Sequence, residues 1–175
     1  THFKRFPFQI HTQGPISLAL DLRPRVTLPE IAALQLHTYA TAVHSAATEP
    51  EKWAPQTRET ADHSIPYLVA VALTDRAVTP ASFTPQRLHD PALRSLLMVM
   101  SITEDPAFTQ NFPAQYCCRM EVLTTSGQRL EASTAYPPGH RHNPLSDTGV
   151  AEKFTHLASA VLSPAQCQGA LDVLW

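Results

Sequence analysis

The sequence predicts an α+β fold: a small mixed or antiparallel sheet with helices packed on it, followed by two terminal helices. Three observations carry that prediction. TADHSIPYLVAVALTD, residues 60–75, reads as a capped, buried helix. YCCRMEVLT and RLEASTA, on either side of a Ser126-Gly127-Gln128 turn, read as a β-hairpin. GVAEKFTHLASAVL and PAQCQGALDVLW, separated at Ser163-Pro164, read as a helix pair.

A chain of 175 residues supports one good core, or one core plus an appendage, and 43% apolar residues mark it as folded. A net charge of −2 argues against nucleic-acid or membrane-surface partners. Cys117, Cys118 and Cys167 are an odd set without a CxxC, which suits a reducing compartment. No apolar run reaches the roughly 18 residues of a spanning helix. The chain begins abruptly, without Met and without a signal-peptide pattern.

The opening THFKRFPFQIHTQ places Lys4 and Arg5 side by side, with His11 and Gln13 close behind among aromatic residues. A di- or tricarboxylate needs several donors held in place: lysine as a compact charge, arginine with two N–H groups. A solvated basic pair beside a buried Phe-Pro-Phe is the plainer alternative. GPISLALDL, residues 14–22, is a short helix that Arg23-Pro24 ends. LQLHTYATAVH alternates as a strand, with Leu34, Leu36, Thr38 and Ala40 on one face and His37, Tyr39 and Thr41 on the other. Residues 46–59 form a connection rich in proline and charge, anchored by Trp53.

Ser64 is the expected N-cap of the helix that follows, with Asp62 as the other candidate. Pro66 then falls in the first turn, where its missing N–H costs nothing. Ile65, Leu68, Val69, Ala72 and Leu73 make the buried stripe. The N-terminal end would present Asp62, His63 and Tyr67, at a place whose unpaired N–H groups can receive a carboxylate. The alternative is a buried helix that merely starts with polar residues.

Residues 78–90 read as a loop with one helical turn. A helix over residues 91–100 has Leu93, Leu96, Leu97 and Met100 as its core stripe. Residues 99–103 read as a strand and residues 104–114 as a loop. In the hairpin, Cys118, Met120 and Val122 form the core face, and Cys117 has no base that would make it a nucleophile. YPPGHRHNPLSD, residues 136–147, is a second basic loop with His140, Arg141 and His142. Its H-x-H is only half a metal-ligand set, so no metal site is expected. Gly139 suits a left-handed turn. In the terminal pair, Val150, Phe154, Leu157, Val161 and Leu162 fall on one face.

Several of these segments resemble the MmgE/PrpD family, which includes 2-methylcitrate dehydratase, cis-aconitate decarboxylase and iminodisuccinate epimerase. TADHSIPYLVAVAL resembles a signature segment of that family. Phe6, Pro7, Phe8, Gln9, Ile10, His11, Thr12 and Gln13 resemble the Phe-Pro-x-(Glu/Gln)-x-His-x-Gln pattern of its dehydratase members. Gly139-His140 and Asn143-Pro144 resemble the turn by which these proteins leave their lid.

The resemblance implies a lid-like α+β domain over residues 1–135. Residues 136–175 would be a returning loop and helices that complete an all-α domain. It implies a metal-independent hydro-lyase without a cofactor, dehydrating 2-methylcitrate or a related alkylcitrate. Lys4, His11 and Tyr67 would be catalytic; Arg5, Gln13, His63, His140 and Arg141 would contact a tri- or dicarboxylate. Gln9 stands where the decarboxylase branch has histidine, which favours the dehydratase side. The match is to the carboxy-terminal part of a typical member. A larger amino-terminal helical domain, in the same protein or a separate subunit, is therefore an expected partner, and the faces of the last two helices lack a full partner in this chain. A homodimer, a role in propionate metabolism and a cytoplasmic setting (mitochondrial in a eukaryote) are implied as well. The alternatives are a decarboxylase or epimerase of the family, and a non-catalytic lid-like domain that binds a carboxylate or a partner protein.

Overall fold

The computed structural model describes residues 2–174, and its backbone packs as two units. The larger unit, Phe6–Pro137, holds a four-stranded mixed sheet with helices against it. In chain order it contains α1 (Gln13–Leu22), β1 (Ile31–Thr38), α2 (Ala40–Ala46), α3 (Pro50–Trp53), α4 (Arg58–Asp62) and α5 (Ile65–Asp75). Then come α6 (Pro85–Leu88), α7 (Pro91–Met98), β2 (Met100–Glu104), α8 (Pro106–Asn111), β3 (Cys118–Thr124) and β4 (Arg129–Thr134).

The strand order is β2-β1-β3-β4, with β1 parallel to β2 and the other neighbours antiparallel. Alternation decides which face is buried. Met100, Leu34, Val122 and Leu130 form one cross-strand row, and Ile102, Leu36, Met120 and Ala132 form the next. Helices α1 and α5 pack on each other, and α1 also packs on β3 and β4. The other face carries Gln35, His37, Arg119, Glu121 and Glu131. There Arg119 Nε lies 3.1 Å from Glu121 Oε1, and His37 Nδ1 lies 3.0 Å from the Thr103 hydroxyl.

Ser64 caps α5: its hydroxyl accepts from Tyr67 N at 3.0 Å, with Pro66 in the first turn. Every residue from Ile65 to Leu73 is buried. The helix is thus wrapped on all sides, rather than striped as its periodicity predicts, and this places Tyr67 inside.

Three elements differ from the sequence expectation. The strand predicted from Leu34 to His44 starts earlier and stops at Thr38, and residues 40–46 are helical. Ala42 and Ala46, one turn apart, are both fully buried, so packing selects the helix. Residues 46–59, read as a connection, include α3 and the start of α4; Trp53 is an anchor there, its indole N–H donating to Ala47 O at 2.7 Å. Residues 104–114, read as a loop, include α8, where the Asp105 carboxylate accepts from Ala107 N at 2.9 Å.

The smaller unit joins residues 2–5 to residues 138–174 and contains α9 (Asp147–Ala158) and α10 (Pro164–Leu174). The Ser146 hydroxyl caps α9 by accepting from Gly149 N at 3.1 Å. This helix ends at Ala158, so Val161, predicted on its apolar face, instead lies beyond it and is 84% exposed. Val150, Phe154, Leu157, Leu171 and Phe3 line a shallow apolar groove of about 270 Å³. Among the described residues, no helix is long and apolar enough to cross a membrane.

Candidate active site

Four of the eight predicted site residues lie on adjoining segments of the smaller unit. Phe3 N donates to Gly139 O at 2.8 Å, so residues 2–5 run beside the turn at 139–143. That turn is closed by Gly139 N donating to Asn143 O and Asn143 N to His140 O, both at 2.8 Å. Gly139 has φ +91°, and a Cβ there would lie 1.9 Å from Phe3 O. Only glycine allows so close an approach with that backbone. Lys4 and Arg5 on one side, and His140 and Arg141 on the other, are thereby held near one another from opposite ends of the sequence.

Lys153 joins them. Its ammonium donates to Lys4 O at 2.6 Å and lies 4.8 Å from the centre of the Phe3 ring. Burial, and then the Lys4 charge, hold its pKa below the usual lysine value. His140 is 2% exposed. Its Nδ1 accepts from His142 N at 3.1 Å, which makes Nε2 the protonated nitrogen of the neutral ring. Burial, then neighbouring His2, His142 and Arg141, keep its pKa below the usual histidine value. Among the described residues no group of histidine, cysteine and carboxylate side chains is arranged to hold a metal ion.

The other four predicted residues belong to the larger unit and do not share one setting. His11 is half-buried, with Nδ1 2.7 Å from the Tyr39 hydroxyl. Phe112 and Tyr116 complete an aromatic surround: Tyr39 stacks on Phe112 at 4.5 Å, and Tyr116 meets Phe112 edge-on at 5.3 Å. Burial lowers the His11 pKa and raises that of Tyr39.

Gln13 is 1% exposed, and its amide is spent on the backbone. Its Oε1 accepts from Phe6 N at 2.9 Å, while Nε2 donates to Phe6 O at 3.1 Å and Gln9 O at 3.2 Å. The residue therefore clamps the KRFP bend, which is a different task from the substrate contact predicted for it. Tyr67, predicted at the presented end of α5, is 1% exposed, and its hydroxyl donates to Ser82 O at 2.5 Å. Burial pushes its pKa up to about 12, with Arg87 opposing. His63 lies outside α5, at the end of α4; it is exposed, with Nδ1 against the Asp62 carboxylate and 3.1 Å from Glu59 O.

Sequence reasoning passed over Tyr39, Phe112, Tyr116 and Lys153. The alternation continues through Tyr39 and so predicts it on an outer strand face. Lys153 carries no local signal, since it sits in an ordinary charged helix turn.

The MmgE/PrpD C-terminal domain model matches residues 6–175. The chain is 25% identical to a cis-aconitate decarboxylase of Mus musculus over 91% of its own length and 33% of that protein. It is 26% identical to a 2-methylcitrate dehydratase of Cupriavidus necator over 95% of its length and 36% of that protein. With a 2-methylcitrate dehydratase of Salmonella typhimurium the identity is 27%, over 96% of this chain and 36% of the other. The chain thus spans about a third of the length of the curated relatives it matches. The family model covers nearly the whole chain and the α+β fold is consistent with that domain, so the chain belongs to the MmgE/PrpD family through its C-terminal domain.

Proposed function

We propose that this chain is part of a metal-independent hydro-lyase that dehydrates 2-methylcitrate or a related alkylcitrate to the alkyl-cis-aconitate. The observation that carries the reading is the close Phe3–Gly139 contact, which sets the segment of Lys4 and Arg5 beside that of His140 and Arg141 from opposite ends of the sequence. Loss of water from a hydroxy-tricarboxylate begins with a proton leaving the carbon beside a carboxylate. Negative charge then grows on that carboxylate, and fixed positive charge lowers the barrier. Lys4 supplies a compact charge and Arg5 a planar fork, with His140 and Arg141 as further contacts. His11 is the candidate to handle the departing hydroxyl. Tyr67 is left out of the proposed chemistry, because it is 1% exposed and its one proton goes to Ser82 O. Remaining groups would come from the amino-terminal helical domain of the family, and a homodimer is the proposed assembly.

The test is turnover of 2-methylcitrate by the complete enzyme, with the product identified by NMR. Lys4→Ala should lower turnover by ~10²–10³, as loss of an oxyanion donor does, with the circular dichroism spectrum unchanged. Near-normal turnover removes Lys4 from the mechanism. The match to a cis-aconitate decarboxylase favours a second reading, decarboxylation of cis-aconitate. Release of carbon dioxide, with itaconate instead of an alkyl-aconitate in the NMR spectrum, would establish it.

A further inference from the structure

We propose that Tyr39 is a positioning residue that holds His11 in its Nε2–H tautomer, so that His11 meets the substrate as a neutral hydrogen-bond donor to an oxygen and not as the base. The inference deepens the hydro-lyase reading and rests on it for the identity of that oxygen, a hydroxyl or carboxylate of the substrate.

Tyr39 is 2% exposed, at the turn between β1 and α2. Among the described residues, its hydroxyl has one hydrogen-bond partner, His11 Nδ1 at 2.7 Å. A phenol carries one proton and spare lone pairs. If it accepted from Nδ1–H, its own O–H would be buried without an acceptor, an arrangement that folded chains avoid. If it donates, both groups are satisfied. Tyr39 therefore donates, Nδ1 is the bare nitrogen, and the ring proton sits on Nε2.

Nε2 faces the opposite way. It has no hydrogen-bond partner among the described residues, and it is not among the buried polar atoms that lack one, so it reaches solvent. A donor is therefore exposed on a half-buried ring with aromatic walls. Tyr39 and Tyr116 are the titratable groups facing the ring, beside Phe112. Neither brings a charge at neutral pH that would favour the imidazolium, and burial disfavours it. The ring stays neutral, with the proton on the reachable nitrogen. In that state it cannot take a proton at Nε2. It can stabilise, by donating a hydrogen bond, an oxygen that gains charge.

The experiment is long-range ¹⁵N–¹H NMR of the histidine rings in the full chain, near pH 8, with His11→Gln used to assign the signals. The expected spectrum has His11 Nδ1 in the unprotonated range and Nε2 in the protonated range. A spectrum with Nδ1 protonated overturns the proposal. Tyr39→Phe keeps the ring and removes the donor. It should mix the two tautomers and move the His11 titration midpoint upward, because the hydrogen bond that favours the neutral ring is gone. An unchanged His11 spectrum in folded Tyr39→Phe also overturns it. These readouts need no turnover. If the complete enzyme does not act on 2-methylcitrate, the hydro-lyase reading fails while the tautomer result stands by itself.

Discussion

Gly139→Ala tests the Phe3–Gly139 contact on which the proposed site depends. The perturbation is one methyl group. It forces an alanine to adopt φ +91°, and it sets a Cβ 1.9 Å from Phe3 O. The first effect costs about 1–2 kcal/mol, the price of a left-handed backbone for an L-residue. The second cannot be relieved by a side-chain rotation, because the obstacle is backbone. Phe3 must withdraw by about 1.5 Å to restore ordinary contact. That movement breaks the 2.8 Å bond from Phe3 N to Gly139 O, worth roughly 1 kcal/mol. The expected total is about 2–3 kcal/mol, confined to the smaller unit.

Gly127→Ala supplies the control. Gly127 also has a positive φ, of 85°, but a Cβ there meets nothing within 4 Å. It bears the backbone cost without the collision. Hydrogen exchange read by mass spectrometry separates the two. In Gly139→Ala, peptides covering residues 2–5 and 138–146 should lose protection, while those of β1 and β3 keep theirs. Gly127→Ala should loosen only the hairpin turn. If Gly139→Ala leaves the 2–5 peptide as protected as the wild type, the close approach does not hold the two segments together, and the physical basis for gathering Lys4 and Arg5 with His140 is lost.

Other outcomes follow from the same geometry. Gln13→Leu should destabilise the chain by about 2–3 kcal/mol, because the hydrogen bonds of the Gln13 amide to Phe6 N and O are lost in a partly buried bend; the urea midpoint measures it, and a change within experimental error would show that the clamp is dispensable. Stability should fall as pH drops below the ordinary histidine range. Burial lowers the folded-state pKa of both His11 and His140, so the unfolded chain binds protons first. Their contribution is fully present above a pH of about 6.5 and is lost as pH falls through the depressed values. Urea midpoints in a pH series check this, and His140→Gln should flatten the slope.

Much of the fold was legible because its signals are local. The Ser64 cap lies three residues from the amide it accepts. The hairpin alternates strictly enough to assign Cys118, Met120 and Val122 to the core, where all three are buried. Residues 39–46 failed for a reason that propensity does not contain. Ala40, Thr41 and Ala42 serve a strand or a helix equally well. The choice is made by α8, where Asp105 N donates to Thr38 O at 2.8 Å and the Thr109 hydroxyl accepts from Ala40 N at 2.9 Å. The two helix starts at Asp90-Pro91 and Asp105-Pro106 carry the same signal, and only the first was read as one.

The candidate site divides in the same way. By itself the sequence determined which residue types are available: adjacent cations near the start, a histidine–glutamine pair, and a glycine–histidine turn near the end. It also determined where helices begin, since a cap and a proline act over a single turn. Only the tertiary structure decided which of these polar groups remain open to chemistry. Gln13 and Tyr67 spend theirs on backbone carbonyls and amides, while the segment that carries Lys4 and Arg5 lies beside Gly139 across more than a hundred intervening residues. A polar side chain takes whatever partner the folded chain brings within hydrogen-bond reach, and that partner is set by long-range packing, which neighbouring letters do not encode.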